Sequence, residues 1–169
     1  LLRVAGRDPT TLSGTDLGFT VGPRLNAAGR LEDMRLGIEC LLADGEEAAF
    51  AMAQRLDQLN RERRDIEAQM RDEAMAMVDP LEAGAVGLSL FDAGWHEGVV
   101  GLVASRVKDR LHRPTFAFAR AKDAGMLKGS GRSIPGLHIR DALALVDARR
   151  RGLIARFGGH AMAARLTLP

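Results

Sequence analysis

The chain has a single cysteine in 169 residues, so it holds no internal disulfide framework, and Cys40, set in the apolar run Ile38-Glu39-Cys40-Leu41-Leu42, reads as a small core residue rather than a nucleophile. No apolar run approaches the roughly 18 residues of a membrane span and no signal peptide is visible. The chain therefore reads as a cytoplasmic protein with no membrane partner. Its histidines, at 96, 112, 138 and 160, include no His-His pair. No second histidine follows His96-Glu97 at helical spacing, which argues against that pair as a metal site. Internal repeats and low-complexity tracts are also missing. With 46% hydrophobic and 27% charged residues, the composition suits a folded domain plus an appendage.

A formal net charge of +2 is a weak argument for a nucleic-acid partner, so the placement of the cations matters more than their sum. Arg24, Arg30 and Arg132 read as functional candidates: Arg30 and Arg132 stand beside glycine or serine and Arg24 follows Gly22-Pro23, where a planar guanidinium and freed backbone donors can meet a phosphate together. Arg61, Arg63 and Arg64 alternate with acidic residues on a helical pattern and read as a solvated face.

Three parts are visible. Residues 1–34, rich in glycine, threonine and turn formers with Asp8-Pro9 and Gly22-Pro23 as breakers, read as a mostly irregular N-terminal segment. Residues 35–79 read as a helical connector: a short helix up to Ala43, a break at Asp44-Gly45, then a helix from Glu46 to about Val78 free of Gly and Pro. At 1.5 Å per residue that helix is about 50 Å long. From 80 to 169 the texture is that of an α/β domain with a small mixed sheet flanked by helices. Strands are expected at 85–91, 115–119, 127–133 and 163–168, and helices at 97–111, with His112-Arg113-Pro114 as its stop, and at 139–146.

Three segments of this domain have the residues for chemistry. In Asp92-Ala93-Gly94-Trp95-His96-Glu97-Gly98 the one tryptophan and a histidine enter a helix whose N-terminus offers free N–H groups to an anion. Trp95 either stacks a base or closes a core edge with its indole N–H bonded to a loop. Lys128-Gly129-Ser130-Gly131-Arg132-Ser133 is either an anion-binding loop of hydroxyls, guanidinium and backbone donors, or a plain hairpin, and it lacks the context of a Walker loop. Gly158-Gly159-His160 denies the backbone any Cβ just before a titratable donor, which lets a phosphate come close; the alternative is a glycine turn leading into a buried strand.

Four motifs in series, Gly22-Pro23-Arg24-Leu25-Asn26-Ala27-Ala28-Gly29-Arg30-Leu31, Trp95-His96-Glu97-Gly98-Val99-Val100-Gly101, Gly129-Ser130-Gly131-Arg132-Ser133-Ile134 and Phe157-Gly158-Gly159-His160-Ala161-Met162-Ala163-Ala164, resemble the RecJ family of single-stranded-DNA-specific exonucleases in the DHH phosphoesterase superfamily. The resemblance covers nearly the whole chain. It implies that residues 1–34 end a DHH catalytic domain, 35–79 connect, and 80–169 form the DHH-associated substrate-binding domain of a 5′-to-3′ exonuclease of DNA repair and recombination. It further implies Arg24, Asn26 and Arg30 at the junction between domains, Ser130, Arg132 and Ser133 on the terminal phosphate, Trp95 and His96 in the wall, and Gly158, Gly159 and His160 near the scissile nucleotide. Single-stranded DNA would be the partner, with other DNA-repair proteins as further candidates. Mn²⁺ or Mg²⁺ would belong to the DHH domain, whose Asp-His-His triplet this sequence does not contain.

A second departure is Arg165, where the family pattern has glycine; a long cation there either adds a phosphate contact or obstructs a close approach. Two other classes share parts of the pattern. A non-catalytic RNA-binding module like that of alanyl-tRNA synthetases would not need the segment from Gly22 to Arg30. A DHH-family phosphodiesterase for cyclic dinucleotides or short oligonucleotides would share the glycine-glycine-histidine motif.

Overall fold

The segment expected to be irregular winds into helices. In the structure, a computed structural model that describes residues 1–78, 85–122 and 125–169, the Ser13 hydroxyl accepts from the Asp16 N–H while the Asp16 carboxylate accepts from Ser13 N at 3.1 Å. This reciprocal cap starts α1 (Gly14–Asp16), which runs through a π-helical turn, Leu17–Val21, into α2 (Gly22–Leu31). Pro23 falls in the first turn of α2, where its missing N–H forfeits no helical bond, so Gly22-Pro23 opens a helix instead of breaking one. Two helices follow as expected, α3 (Arg35–Leu42) and the 33-residue α4 (Glu46–Val78).

Two compact units divide within α4: Leu1–Ile66 and Glu67–Pro169. The sequence boundary at 34/35 falls inside the first unit, and the one at 79/80 lies outside the described residues. The first unit packs Ala27, Ala28, Cys40, Ala53, Leu56 and Leu59 into one core, so Cys40 is a buried thiol. Arg24 holds α2 to α4. Its Nε donates to Asp57 Oδ1 at 2.8 Å and its Nη1 to the Thr20 carbonyl at 2.7 Å, and Arg61 reaches the other oxygen of Asp57 at 2.6 Å.

The second unit is a five-stranded mixed sheet of β1 (Leu88–Phe91), β2 (Thr115–Arg120), β3 (Leu127–Arg132), β4 (Arg156–Gly159) and β5 (Ala163–Leu168), in the order β1-β2-β3-β5-β4. Only β1 and β2 are parallel, joined by α5 (Val100–Leu111); every other pair is antiparallel. α5 ends where His112 takes the left-handed conformation, just ahead of Pro114. It packs on β2 and β3, while α6 (Ile139–Arg149) packs on the opposite side of the sheet against β4 and β5.

Of the two segments read as possible ligand loops, 127–133, also expected as a strand, is β3, and the glycine pair at 158 and 159 ends β4. β3 is central, with Gly129 and Gly131 facing the α6 side, where they leave room for Phe118 and Leu166 and for Phe116 and Ile139 respectively. A Cβ at Gly131 would stand 2.7 Å from Phe116 Cδ1 and 2.8 Å from Ile139 Cδ1. β4 forms the sheet edge, and a Cβ at Gly158 would meet nothing within 4 Å. Gly131→Ala should therefore destabilise the chain by about 1–3 kcal/mol through overpacking, with only part of this returned by the stiffer unfolded backbone. Gly158→Ala should be neutral or stabilising by up to about 1 kcal/mol. Denaturant midpoints of the two variants check this contrast; equal shifts would contradict the assigned packing.

Candidate nucleic-acid interface

Side chains alternate along β3, so Lys128, Ser130 and Arg132 all face the α5 side, opposite the two glycines. The first turns of α5 come close to this row. A Cβ at Gly101 would lie 2.9 Å from Ser130 Oγ and 3.0 Å from Arg132 Nη2, so glycine there permits the helix to seat over the pair. Arg132 is half-buried and its Nη1 donates to Ser130 Oγ at 3.0 Å and to the Gly131 carbonyl at 2.9 Å. Ser130, only 4% exposed, thus acts on the guanidinium's orientation. Ser133 is 1% exposed and donates its hydroxyl to the Leu137 carbonyl at 2.7 Å, which fixes the turn after β3.

The same face continues across β5 and β4. The register sets Ser130 opposite Arg165 and Arg165 opposite Gly158, and in the next row Lys128 opposite Thr167 and Thr167 opposite Arg156. Arg156, Gly158 and Arg165 are exposed. His160, also exposed, starts the β4–β5 turn: its N–H donates to the Ala163 carbonyl at 2.8 Å and its Nδ1 accepts from Met162 N at 3.3 Å. The turn is tied back by Ser133 N–H to the Met162 carbonyl at 2.9 Å and Ile139 N–H to the Ala161 carbonyl at 3.0 Å. Gly159, at φ +149°, is pressed against Ala163 and Ala164 and admits no Cβ.

The loop before α5 departs from expectation. Trp95 is 4% exposed and its Nε1 donates to Glu73 Oε2 at 2.8 Å, so the ring is packed inside the unit and is not presented to a base. The helix also starts later than read, at Val100, because tight turns occupy residues 95–99. His96 Nδ1 accepts from Gly98 N at 3.1 Å, which leaves Nε2 as the protonated nitrogen of the neutral ring. Glu97 meets Lys128 Nζ at 2.9 Å. Burial pushes the Glu97 carboxyl up, yet Lys128, together with Lys122, outweighs it and holds the group below its ordinary value.

Ser130, Arg132, Gly158, Gly159 and His160 therefore come onto one sheet, the first three on or beside one face. Arg24, Asn26 and Arg30 lie on α2 in the first unit, where Asn26 is exposed and Arg24 is committed to Asp57. Sequence reasoning missed Gly101 and Lys128 as site residues; the signal for Gly101 was a glycine in the first turn of a helix that also had to cover a strand. Among the described residues no group of three or more His, Cys, Asp or Glu side chains lies close enough to hold a metal ion, so these residues do not fit a two-metal centre.

The DHHA1 domain family matches residues 83–169, which carry the whole of this sheet. The chain belongs to the DHHA1 domain family. It is also 54% identical over 172 aligned residues to the single-stranded-DNA-specific exonuclease RecJ of Dickeya dadantii, a match covering 99% of this chain and 30% of that protein. In fold it is similar to a RecJ of Thermus thermophilus solved with Mg²⁺, with a TM-score of 0.83 and 30% identity over 99% of this chain and 24% of the other. The same protein solved with Mn²⁺ gives a TM-score of 0.84 at 30% identity over 100% of this chain and 24% of the other. The chain thus spans less than a third of the length of these relatives. No helix among the described residues is long and apolar enough to cross a membrane.

Burial, and after it the charge of Lys122, hold the His96 imidazole below its ordinary 6.5, against the smaller pull of Glu97. Above that value the ring is neutral in both folded and unfolded chain, and its contribution is fully present; as pH falls below it, the unfolded chain takes up the proton first and stability declines. A proton-NMR titration should find His96 titrating below 6.5, and His96→Gln should reduce the loss of stability on acidification. A midpoint above 6.5 would contradict the burial that the structure gives this ring.

Proposed function

We propose that this chain is the substrate-binding part of a RecJ-like 5′-to-3′ exonuclease acting on single-stranded DNA, with Arg132 as the ligand of the 5′-terminal phosphate. The observation that carries this is the built arginine: two acceptors on its own strand orient the guanidinium beside the glycine-opened first turn of α5. A half-buried, preorganised guanidinium binds phosphate more strongly than a solvated one, since less rotamer entropy is lost and the field is less screened. The relatives named as single-stranded-DNA exonucleases support the polymer substrate.

Within this reading Ser130 positions Arg132, and Ser133 keeps the 134–137 turn from closing the approach. Gly158 gives the strand a flat floor, and His160 stands in the turn that follows it. Arg24 acts indirectly by holding α2, on which Asn26 is exposed and Arg30 partly buried. His96 shapes the rim through its turn, while Trp95 supports it from the core. Mn²⁺ or Mg²⁺, with which the similar RecJ structures were solved, would supply the hydrolytic chemistry, and the residues of this chain would bind and orient the strand. Cytoplasmic DNA-repair proteins are the partners that this reading implies.

The 169-residue chain should show no nuclease activity with Mg²⁺ or Mn²⁺, as followed by release of labelled nucleotide from single-stranded DNA; degradation that copurifies with the chain through successive columns would overturn this. Binding is the direct test of the phosphate role. Arg132→Ala should weaken binding of a 5′-phosphorylated oligonucleotide by roughly 1.5–3 kcal/mol, or about 10- to 150-fold, and Arg132→Lys should recover only part, because an ammonium lacks the planar fork. A 5′-hydroxyl strand should lose little. Fluorescence anisotropy at low salt measures both, and equal losses on the two strands would remove Arg132 from the terminal phosphate.

A further inference from the structure

We infer that Arg165 binds an internucleotide phosphate of the single strand, downstream of the terminal one, and that it does so over the floor made by Gly158 with Arg156 beside it. This rests on the substrate reading above and extends it to a residue where that reading's family pattern predicts no side chain.

The placement is fixed by register. Arg165 sits on β5 directly between Ser130 of β3 and Gly158 of β4, on the face shared by Lys128, Ser130 and Arg132. Neighbouring strands are about 4.8 Å apart, so its Cα lies one strand spacing from the serine that orients Arg132 and one from the glycine. Arg156 lies diagonally across from it on the edge strand, on the same face, within reach of long side chains.

The direction follows from what covers the sheet. α5 packs over β2 and β3, so a strand whose end is held at Arg132 has no path toward β2. The path over β5 and β4 is open, for Arg156, Gly158 and Arg165 are exposed. Gly158 is the second sign. Its backbone is not among the positive-φ residues and no atom crowds the space a Cβ would fill, so neither conformation nor packing calls for glycine there. A bare backbone at that point keeps the floor between the two arginines low enough for a sugar-phosphate chain to lie on it. Arg165 and Arg156 also enter no hydrogen bond or ion pair through their side chains among the described residues, in contrast to Arg24, Arg55, Arg61, Arg106 and Arg132. Two exposed guanidinium groups with no acidic partner, facing one side of a flat strand pair, complement a polyanion that is one phosphate wide.

The test compares wild type, Arg165→Gln and Arg165→Lys by anisotropy on single-stranded oligothymidylates of about ten nucleotides, with and without a 5′-phosphate, over a range of salt. Arg165→Gln should weaken both strands equally, by roughly 3- to 10-fold at low salt, and should lower the slope of log affinity against log salt by about 0.7, the value of one single-strand phosphate contact. Arg165→Lys, which keeps the charge, should retain the slope. Thermal midpoints unchanged from wild type show that the exposed position is not structural. An unchanged affinity and slope in Arg165→Gln, with Arg132→Ala still impaired, would overturn this inference alone. A loss confined to the 5′-phosphorylated strand would move Arg165 to the terminal phosphate and also overturn it. Failure of the wild-type chain to bind either strand would sink the substrate reading and the inference with it.

Discussion

The period of two along β3 is the constraint on which both faces of the sheet depend. Gly129 and Gly131 turn toward Phe116, Phe118, Ile139 and Leu166, while Lys128, Ser130 and Arg132 turn toward α5. A slip of one residue would send the arginine into the aromatic layer and the glycines under the helix, so the hydrophobic packing on the α6 side fixes which way the guanidinium points. Gly101 completes the arrangement, since a side chain there would press on Ser130 Oγ and Arg132 Nη2 and displace them. Packing and recognition are set by one register.

That coupling has an energetic consequence. A partly buried cation without partners would be costly, and here the guanidinium finds acceptors in Ser130 Oγ and the Gly131 carbonyl, neither of which carries a charge. These two neutral acceptors orient the group along its own strand. Glu97, the nearby acid, is instead engaged by Lys128, whose ammonium keeps the carboxylate ionised and occupied at the other end of the strand. An anion arriving at Arg132 would meet a donor that is already oriented.

Much of the fold was legible because periodicity reports burial. The long Gly- and Pro-free helix, the apolar stripe of α5 with its His112 stop, and the alternating β2 and β5 all show their faces in sequence. The misreadings came from residues with two uses. Gly22-Pro23 breaks a helix in mid-run but is accommodated in the first turn of one, and the sequence alone left that position undecided. The strand at 127–133 was legible, but the reason for Gly129 and Gly131 within it was not, because the aromatic rings that require their bareness lie on a different strand. Trp95 was undecidable for the same reason, its indole partner Glu73 being 22 residues away. The candidate site was legible as a set of motifs, but the division of labour within it was not: which serine orients, which closes a turn and which arginine ties two helices together depend on partners distant in sequence.

Glycine composition alone therefore says little about binding until each residue is asked what its missing Cβ would touch. At 101, 129, 131 and 159 the answer is protein: a serine and an arginine, two aromatic rings, an adjoining strand. Those glycines are explained by the fold and carry no independent information about a ligand. At 158 the answer is nothing, and the backbone there is unstrained, so the fold supplies no reason for the residue. A position left bare on an exposed sheet face, bracketed in register by Arg165 and flanked by Arg156, is one to which the proposed strand path gives a reason that the fold does not.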